Sequence, residues 1–291
     1  MDIRFLESLL AVIDTGSIAA AARRQNLTPA AISQRIQTLE KQFRSALLTR
    51  NAHSAKPTEA CLALMPRMRH LIAEAQALSD GLDAAHLTGE LSIGAISTAL
   101  TGMMPSALKR FAEAAPHVRL RLSPGASDGL YEAVLAGELD AAILVQPPFA
   151  LPKSLKTAAL RRERLVLISP EPAGDRQPED VLTEAPYIRY DPGSWGGRMA
   201  ARFIEERGLQ PEIFCDLDGL EAIAILVERG IGNSLVPAWA GFRPQGLSVT
   251  EIDPDGRYGR EIVFLQSSLP RRPKALDLFR KVLAETIDQS G

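Results

Sequence analysis

Residues 28–37, Thr-Pro-Ala-Ala-Ile-Ser-Gln-Arg-Ile-Gln, carry hydrogen-bonding side chains at helical spacing. Ile32, Ile36 and Leu39 form an inward stripe, which leaves Ala30, Ser33, Gln34, Arg35 and Gln37 facing outward. These outward residues are short or able to hydrogen-bond, and they are not tied up in ion pairs. Such a face suits base edges in a major groove: small first-turn residues allow close approach, Gln matches adenine and Arg matches guanine. An ordinary three-helix bundle with a merely wet polar face would show the same pattern. Residues 47–57 follow, with the cations Arg50 and Lys56 between apolar flanks. A β-hairpin lying on phosphates would use both cations, and a plain surface loop would carry them equally well.

Catalytic chemistry has little support. The chain contains no G-x-S-x-G, H-E-x-x-H, C-x-x-C or P-loop sequence, and His53, His70, His86 and His117 are scattered. Gly230-x-Gly232 follows an expected helix and precedes an expected strand, the reverse of a dinucleotide-binding turn. No catalytic residue, metal site or cofactor is expected.

The elements that would position these residues divide the chain in three. Residues 1–58 hold eight basic and four acidic groups, residues 59–88 two and four, and residues 89–291 the remaining 23 and 27. A basic head on an acidic body implies a polyanion partner for the head alone. Within the head, Ile3, Leu6, Leu9, Leu10 and Ile13 predict a helix stopped by Gly16, and Ser17 caps a second from Ile18 to Arg24. Thr28 caps a third with Pro29 at its first position, where the missing N–H costs nothing. Three short helices with a tight turn before the third match a helix-turn-helix. From Thr58 a long helix begins. Cys61, Leu64, Met68, Leu71, Ala75, Leu78 and Leu82 repeat at 3-4 spacing, three heptads of a dimerisation seam. An amphipathic helix packed on its own domain is the alternative.

Beyond residue 88 the pattern changes to alternating strands and helices: strand 91–95, helix 103–114, strand 118–122, helix 127–136, strand 139–145. This order predicts a parallel sheet covered by helices. A second unit repeats it, with strands 165–168, 187–190, 213–217 and 233–236 and helices 195–207 and 219–229. A strand at 262–266 and a helix at 274–287 close the chain. Two α/β lobes, about 89–161 with 267–291 and about 162–266, imply a ligand cleft between them. No run of eighteen apolar residues occurs, which argues against a membrane span. Two cysteines, Cys61 and Cys215, fit a reducing compartment, and a cytoplasmic location is expected from the absence of a secretion signal.

Ala20-Ala-Ala-Arg-Arg-Gln-Asn-Leu-Thr-Pro-Ala-Ala-Ile-Ser-Gln-Arg-Ile-Gln-Thr-Leu-Glu40 resembles the helix-turn-helix of LysR-type transcriptional regulators. Leu47-Leu48-x-Arg50, Pro57-Thr58-Glu59-Ala60 and Gly219 through Pro237 resemble later segments of that family, in the same order. Three positions depart from it: Arg44 and Cys61 stand where Gly is usual, and Leu48 where Phe is common.

The resemblance implies a multidomain α and α/β protein. Residues 1–58 form a winged helix-turn-helix, 59–88 a coiled-coil linker, and 89–291 a bilobal effector domain like type 2 periplasmic binding proteins. It implies a homodimer or homotetramer of two dimers, acting on double-stranded DNA under a small, anionic effector; RNA polymerase is a candidate partner. Thr28, Pro29, Ala30, Ser33, Gln34 and Arg35 then line the major groove, with Arg50, His53 and Lys56 at phosphates or the minor groove. Arg23 and Arg24 are either phosphate contacts or solvated helix ends. For the effector, the family places a Ser/Thr turn after the first strand, here Ser97 and Thr98, with Ser127 across the cleft. Arg189, Tyr190, Ser194, Trp195 and Arg198 surround a Gly-rich turn that would close over a planar or acidic ligand. Trp195 as a core anchor and Arg189 as a solvent-facing strand residue are the plainer readings. A solute-binding protein and a small-molecule enzyme on the same bilobal fold are the alternatives; the basic head and missing catalytic groups weigh against them.

Overall fold

Asp2 and Gly16 bracket the first helix. In the computed structural model, which describes residues 2–51, 54–80, 87–172, 174 and 176–288, the Asp2 carboxylate accepts from Arg4 N at 3.0 Å. Gly16 closes the helix α1 (Ile3–Thr15) with φ +67°, a left-handed conformation natural to glycine. Helix α2 (Ile18–Arg24) follows; Ser17 stands at its cap position, but its hydroxyl makes no capping bond. Thr28 Oγ1 accepts from Ala31 N at 3.1 Å, and Pro29 opens α3 (Pro29–Phe43) as expected.

Strands β1 (Leu48–Asn51) and β2 (Ser54–Pro57) pair antiparallel as the two arms of a hairpin. Glu40 Oε1 accepts from Leu47 N at 3.0 Å, which fixes the turn from α3 into the hairpin. Ala55 N donates to Gly16 O at 2.9 Å, tying β2 to the end of α1. Helix α4 (Glu59–Asp80) then runs through Pro66.

Leu6, Leu9 and Val12 of α1, Ala21 of α2, and Ile32, Ile36 and Leu39 of α3 are fully buried in one core. Each large side chain there contributes about 1.5–3 kcal/mol by leaving water. Cys61, Met68 and Ile72 of α4 belong to the same core, with Leu64 packed against it. The first half of the expected seam is therefore used inside its own head. Leu71 is 43% exposed and Ala75 half-buried. Leu78 lies on α4 with its side chain outside the described part, and Leu82 lies outside the described residues.

The chain divides into two compact units, the first carrying the elements up to α4 and the second those from β3 onward. In the second, β3 (Thr88–Ala95) pairs parallel with β4 (His117–Pro124) and β5 (Ala141–Val145). Then β12 (Arg260–Ser267) joins antiparallel to β5, and β6 (Leu155–Glu163) antiparallel to β12. The sheet order is β4-β3-β5-β12-β6. Helices α5 (Ser97–Gly102), α6 (Met104–Ala114), α7 (Ser127–Leu135) and α11 (Pro273–Asp288) belong to this lobe. Phe111 of α6 meets Phe279 of α11 edge-on at 5.3 Å.

In the second lobe β7 (Leu165–Ser169) lies between β10 (Ser234–Pro237) and β11 (Ser248–Glu251), antiparallel to both. Strand β8 (Tyr187–Tyr190) pairs parallel with β9 (Ile213–Leu217) and bridges to Asn233 through Tyr187. Helices α8 (Pro178–Glu184), α9 (Gly197–Glu206) and α10 (Leu220–Glu228) complete it. The expected parallel pairing is thus real for β4-β3-β5 and for β8-β9, while β6, β7, β10, β11 and β12 pair antiparallel.

The lobe boundary moves as well. Strand β12, expected inside the second lobe, pairs in the sheet of the first. The backbone therefore crosses between lobes at Glu163–Arg164 and again just before Arg260. Among the described residues no single helix is long and apolar enough to cross a membrane.

Candidate functional site

The first turn of α3 presents Thr28, Pro29 and Ala30 to solvent, with Gln34 and Gln37 exposed on the next turns and Ser33 half-buried. The opposite face of that helix is the head core, so its orientation is set by burial of Ile32, Ile36 and Leu39.

Arg35 departs from expectation. Its Nη1 donates to Ser8 Oγ at 2.9 Å, and its guanidinium lies 5.8 Å from the Phe5 ring centre. Ser8 is fully buried and itself donates to Gln25 Oε1 at 2.8 Å. The Arg35 stem starts beside α1, and the nearest acceptors are there, so the guanidinium folds back and locks α3 to α1 and the turn after α2. Arg23 is exposed, whereas Arg24 lies 3.7 Å from Asp14. Lys56 is exposed on β2; Arg50 lies on β1 with its side chain outside the described part, and His53 lies outside the described residues.

Arg44 adopts φ +52° at the end of α3, and its N–H closes on Lys41 O. The chain therefore makes the left-handed turn without glycine. Leu48 is buried in the head core, and burial pushes the Cys61 thiol up to about 11.

The second unit holds a cleft of about 540 Å³ between its lobes. Ser97, Thr98, Ser127, Tyr190, Ser194 and Trp195 all line it. Ser97 Oγ donates across the lobes to Glu221 Oε2 at 3.1 Å, and Thr101 Oγ1 donates to Glu221 Oε1 at 3.1 Å. Ser127 Oγ accepts from Val145 N at 3.2 Å, leaving its own proton to donate. Ser194 Oγ donates to Asp191 O and accepts from Gly197 N, which opens α9. A side chain at Gly197 would run into Asp191 O, so this tight turn requires glycine there. Trp195 meets Tyr131 and Phe149 of the other lobe edge-on, at 6.0 and 5.6 Å between ring centres.

The two arginines expected to flank a ligand lie elsewhere. Arg198 is exposed on α9 and does not line the cleft. Arg189 also lies off the lining and is spent on Asp216, with contacts of 2.5 and 2.9 Å. That pair lowers the Asp216 carboxyl and raises the Arg189 guanidinium, chiefly through the hydrogen bond. On a parallel β8–β9 pair the two residues stand opposite each other, and the short carboxylate reaches the guanidinium before any ligand could.

Arg260 is the guanidinium that lines the cleft, and inspection of the sequence missed it. It is 4% exposed. Its Nε donates to Glu163 Oε2 at 2.7 Å, Nη1 to Tyr190 Oη at 3.1 Å and Nη2 to Thr98 Oγ1 at 3.1 Å. Glu163 Oε1 accepts from Ala240 N at 3.1 Å. Burial raises the Tyr190 phenol, which keeps it protonated. The available signal was the charged pair Arg260-Glu261 just before the apolar run Ile262–Leu265. Asp128, Asp191 and Asp218, also missed, complete the polar lining.

Residues 3–62 match the family described as bacterial regulatory helix-turn-helix protein, lysR family, and residues 84–288 match the LysR substrate binding domain. The HTH-type transcriptional regulator IlvR of Caulobacter vibrioides is 32% identical over 248 residues, covering 82% of this chain and 83% of IlvR. The HTH-type transcriptional activator IlvY of Salmonella typhimurium is 30% identical, covering 81% and 82%. Full-length OxyR from Pseudomonas aeruginosa shares the fold at TM-score 0.78 and 19% identity, over 100% of this chain and 96% of that one. Full-length LysG from Corynebacterium glutamicum, solved with bound effector Arg, does so at 0.67 and 18% identity, over 99% of both chains. CbnR in complex with its target DNA gives 0.61 at 21% identity, over 98% and 100%. A helix-turn-helix head and a bilobal substrate-binding domain in this order leave one conclusion: the chain belongs to the LysR family of helix-turn-helix transcriptional regulators.

Proposed function

We propose that the protein binds promoter DNA through α3 and the β1–β2 hairpin, and that a small effector in the interlobe cleft modulates this binding. One observation carries the reading. The first turn of α3 is small, polar and exposed, while the rest of that helix is held rigidly by a core. Thr28, Pro29, Ala30, Ser33 and Gln34 are assigned to the major groove, and Lys56 with Arg50 and His53 to phosphates or the minor groove. Arg35 is assigned to holding the helix in place.

Support for DNA as partner comes from the relatives, regulators by name, and from CbnR, which was solved on its target DNA. Leu71, Ala75 and Leu78 of α4, with Leu82 outside the described residues, are assigned to a dimer, and pairs of dimers to a tetramer; Leu64 and Met68 serve the head core instead. Residues 1–58, 59–88 and 89–291 then act as head, linker and effector domain. We read the protein as a non-enzyme acting in the cytoplasm, with RNA polymerase as a further partner.

The mechanism is linkage. A ligand that prefers one lobe closure over another shifts the tetramer between states that space the heads differently, and it can act only through that preference. The test is binding of the purified protein to its own upstream intergenic DNA across a salt series, with random duplex as competitor. Competitor-resistant, salt-dependent binding is expected. Binding no tighter than to random duplex, repeated in a genome-wide selection, would refute the reading.

A further inference from the structure

The cleft has two chemical ends, separable by burial. At its floor lie Thr98, Tyr190 and Arg260, each no more than 4% exposed. Arg260 has five N–H groups, and three are used by protein acceptors, so two remain to donate. Thr98 Oγ1 accepts from Arg260 and keeps its own proton for a ligand. The floor therefore donates hydrogen bonds and suits a carboxylate. Its positive charge, however, is already matched, because the Arg260–Glu163 pair has side chains only 3% and 1% exposed.

The rim is acidic. Asp128 and Asp218 are exposed and Asp191 is half-buried. Asp128 and Asp191 each turn one oxygen to a backbone amide, on Gly129 and Gly193, both at 2.8 Å. Asp218 makes no hydrogen bond or ion pair among the described residues. Among the described residues the lining cation is Arg260, already matched by Glu163; Arg198 lies off the lining, and Arg189, off the lining and paired with Asp216, feels the Asp191 charge only from outside it. A simple anion would meet matched charge at the floor and repulsion at the rim.

We infer that the cleft selects a zwitterion: an amino-acid-like ligand with its carboxylate on Thr98, Tyr190 and Arg260 and its ammonium on Asp218 and Asp191. This rests on the cleft being the effector site, as read above, and it replaces the anionic effector expected from sequence. The Trp195 side wall, backed by Tyr131 and Phe149, leaves an apolar surface for the ligand's side chain.

The test is calorimetric titration of the full chain with a panel of L-amino acids. Each is matched by its 2-oxo acid, which lacks the ammonium, and by its decarboxylated amine. At least one amino acid is expected to bind about tenfold or more tighter than both matched compounds, the scale of one lost charge-assisted hydrogen bond. Asp218→Asn is expected to remove that margin with an unchanged melting temperature, because Asp218 supports no other group. A 2-oxo acid binding as tightly as its amino acid, a silent Asp218→Asn, or no binding by any amino acid in the panel overturns the inference. Ser127→Tyr, which fills the cleft, separates the two readings. Amino-acid binding that survives it places the ligand outside the cleft and sinks both. Loss of 2-oxo acid binding on Ser127→Tyr keeps the cleft and sinks only the zwitterion.

Discussion

Arg260 and Glu163 are cross-strand partners, and each stands at one of the two points where the backbone passes from one lobe to the other. Their 2.7 Å pair is buried, and through Tyr190 and Thr98 it also touches both cleft walls. Removing one partner leaves a bare charge in a dry place. Glu163→Gln should therefore lower stability by about 3–5 kcal/mol. Adding Arg260→Met should recover part of that loss. Urea denaturation of the single and double variants checks this, and strictly additive losses would show that the pair is not coupled.

Gln34 and Arg35 are neighbours with different expected roles. Gln34 is exposed on the reading face of α3, whereas Arg35 bonds Ser8 on α1. Gln34→Ala should cost about 1–3 kcal/mol on the operator and almost nothing on random duplex. Arg35→Ala should weaken both duplexes alike and lower head stability by about 1–2 kcal/mol, the cost of a lost bond to a buried hydroxyl. Parallel titrations on the two duplexes separate these outcomes; an operator-only loss for Arg35→Ala would restore it to the groove.

Helix α4 divides its apolar residues between two tasks. Met68 is 2% exposed in the head core and Leu71 is 43% exposed. Leu71→Asp should lower the mass measured by light scattering while leaving the head folded. Met68→Asp should unfold the head, because an unpaired carboxylate cannot stay in that core. An unchanged mass for Leu71→Asp would remove this residue from the assembly surface.

Burial holds Cys61 as a neutral thiol, moving it from 9.0 to about 11. The folded state thus keeps its proton to a higher pH than the unfolded chain does. The associated stability is complete below pH 9.0, and it fades as pH rises toward about 11. The stability difference between the native chain and Cys61→Ala should shrink over that window. A difference that stays flat with pH would place the thiol in water.

The head was almost fully legible, because each of its decisions is local. Thr28 and Pro29 start a helix by chemistry that needs no partner, and Ile32, Ile36 and Leu39 repeat at one period. The effector unit was legible where strands are wholly apolar, as in β5 and β7. It was not legible in β6, an edge strand whose sequence Leu-Lys-Thr-Ala-Ala-Leu-Arg-Arg-Glu carries solvent on one side and no clean alternation. The cleft split the same way. Hydroxyls in first turns announced themselves, but Arg189 and Arg260 look alike in sequence. Only strand pairing tells that Arg189 faces Asp216, while Arg260 faces Glu163 at the hinge.

Arg44 is where the chain departs from the glycine its family favours, and the structure shows that the departure is tolerated and strained. Its φ of +52° lies in the left-handed region, where a side chain clashes with the following carbonyl. That clash costs about 1–2 kcal/mol per residue. Part of the benefit of relieving it is lost because glycine gives the unfolded chain more freedom. Arg44→Gly should thus stabilise the head by about 0.5–1 kcal/mol. Glu40, which accepts from Leu47 N and Leu48 N just beyond the turn, would keep its bonds. The hairpin should therefore hold its place, and operator affinity should change little. Thermal unfolding with a parallel operator titration checks both halves. A lower melting temperature would mean that the Arg44 side chain supplies a contact worth more than the strain it causes.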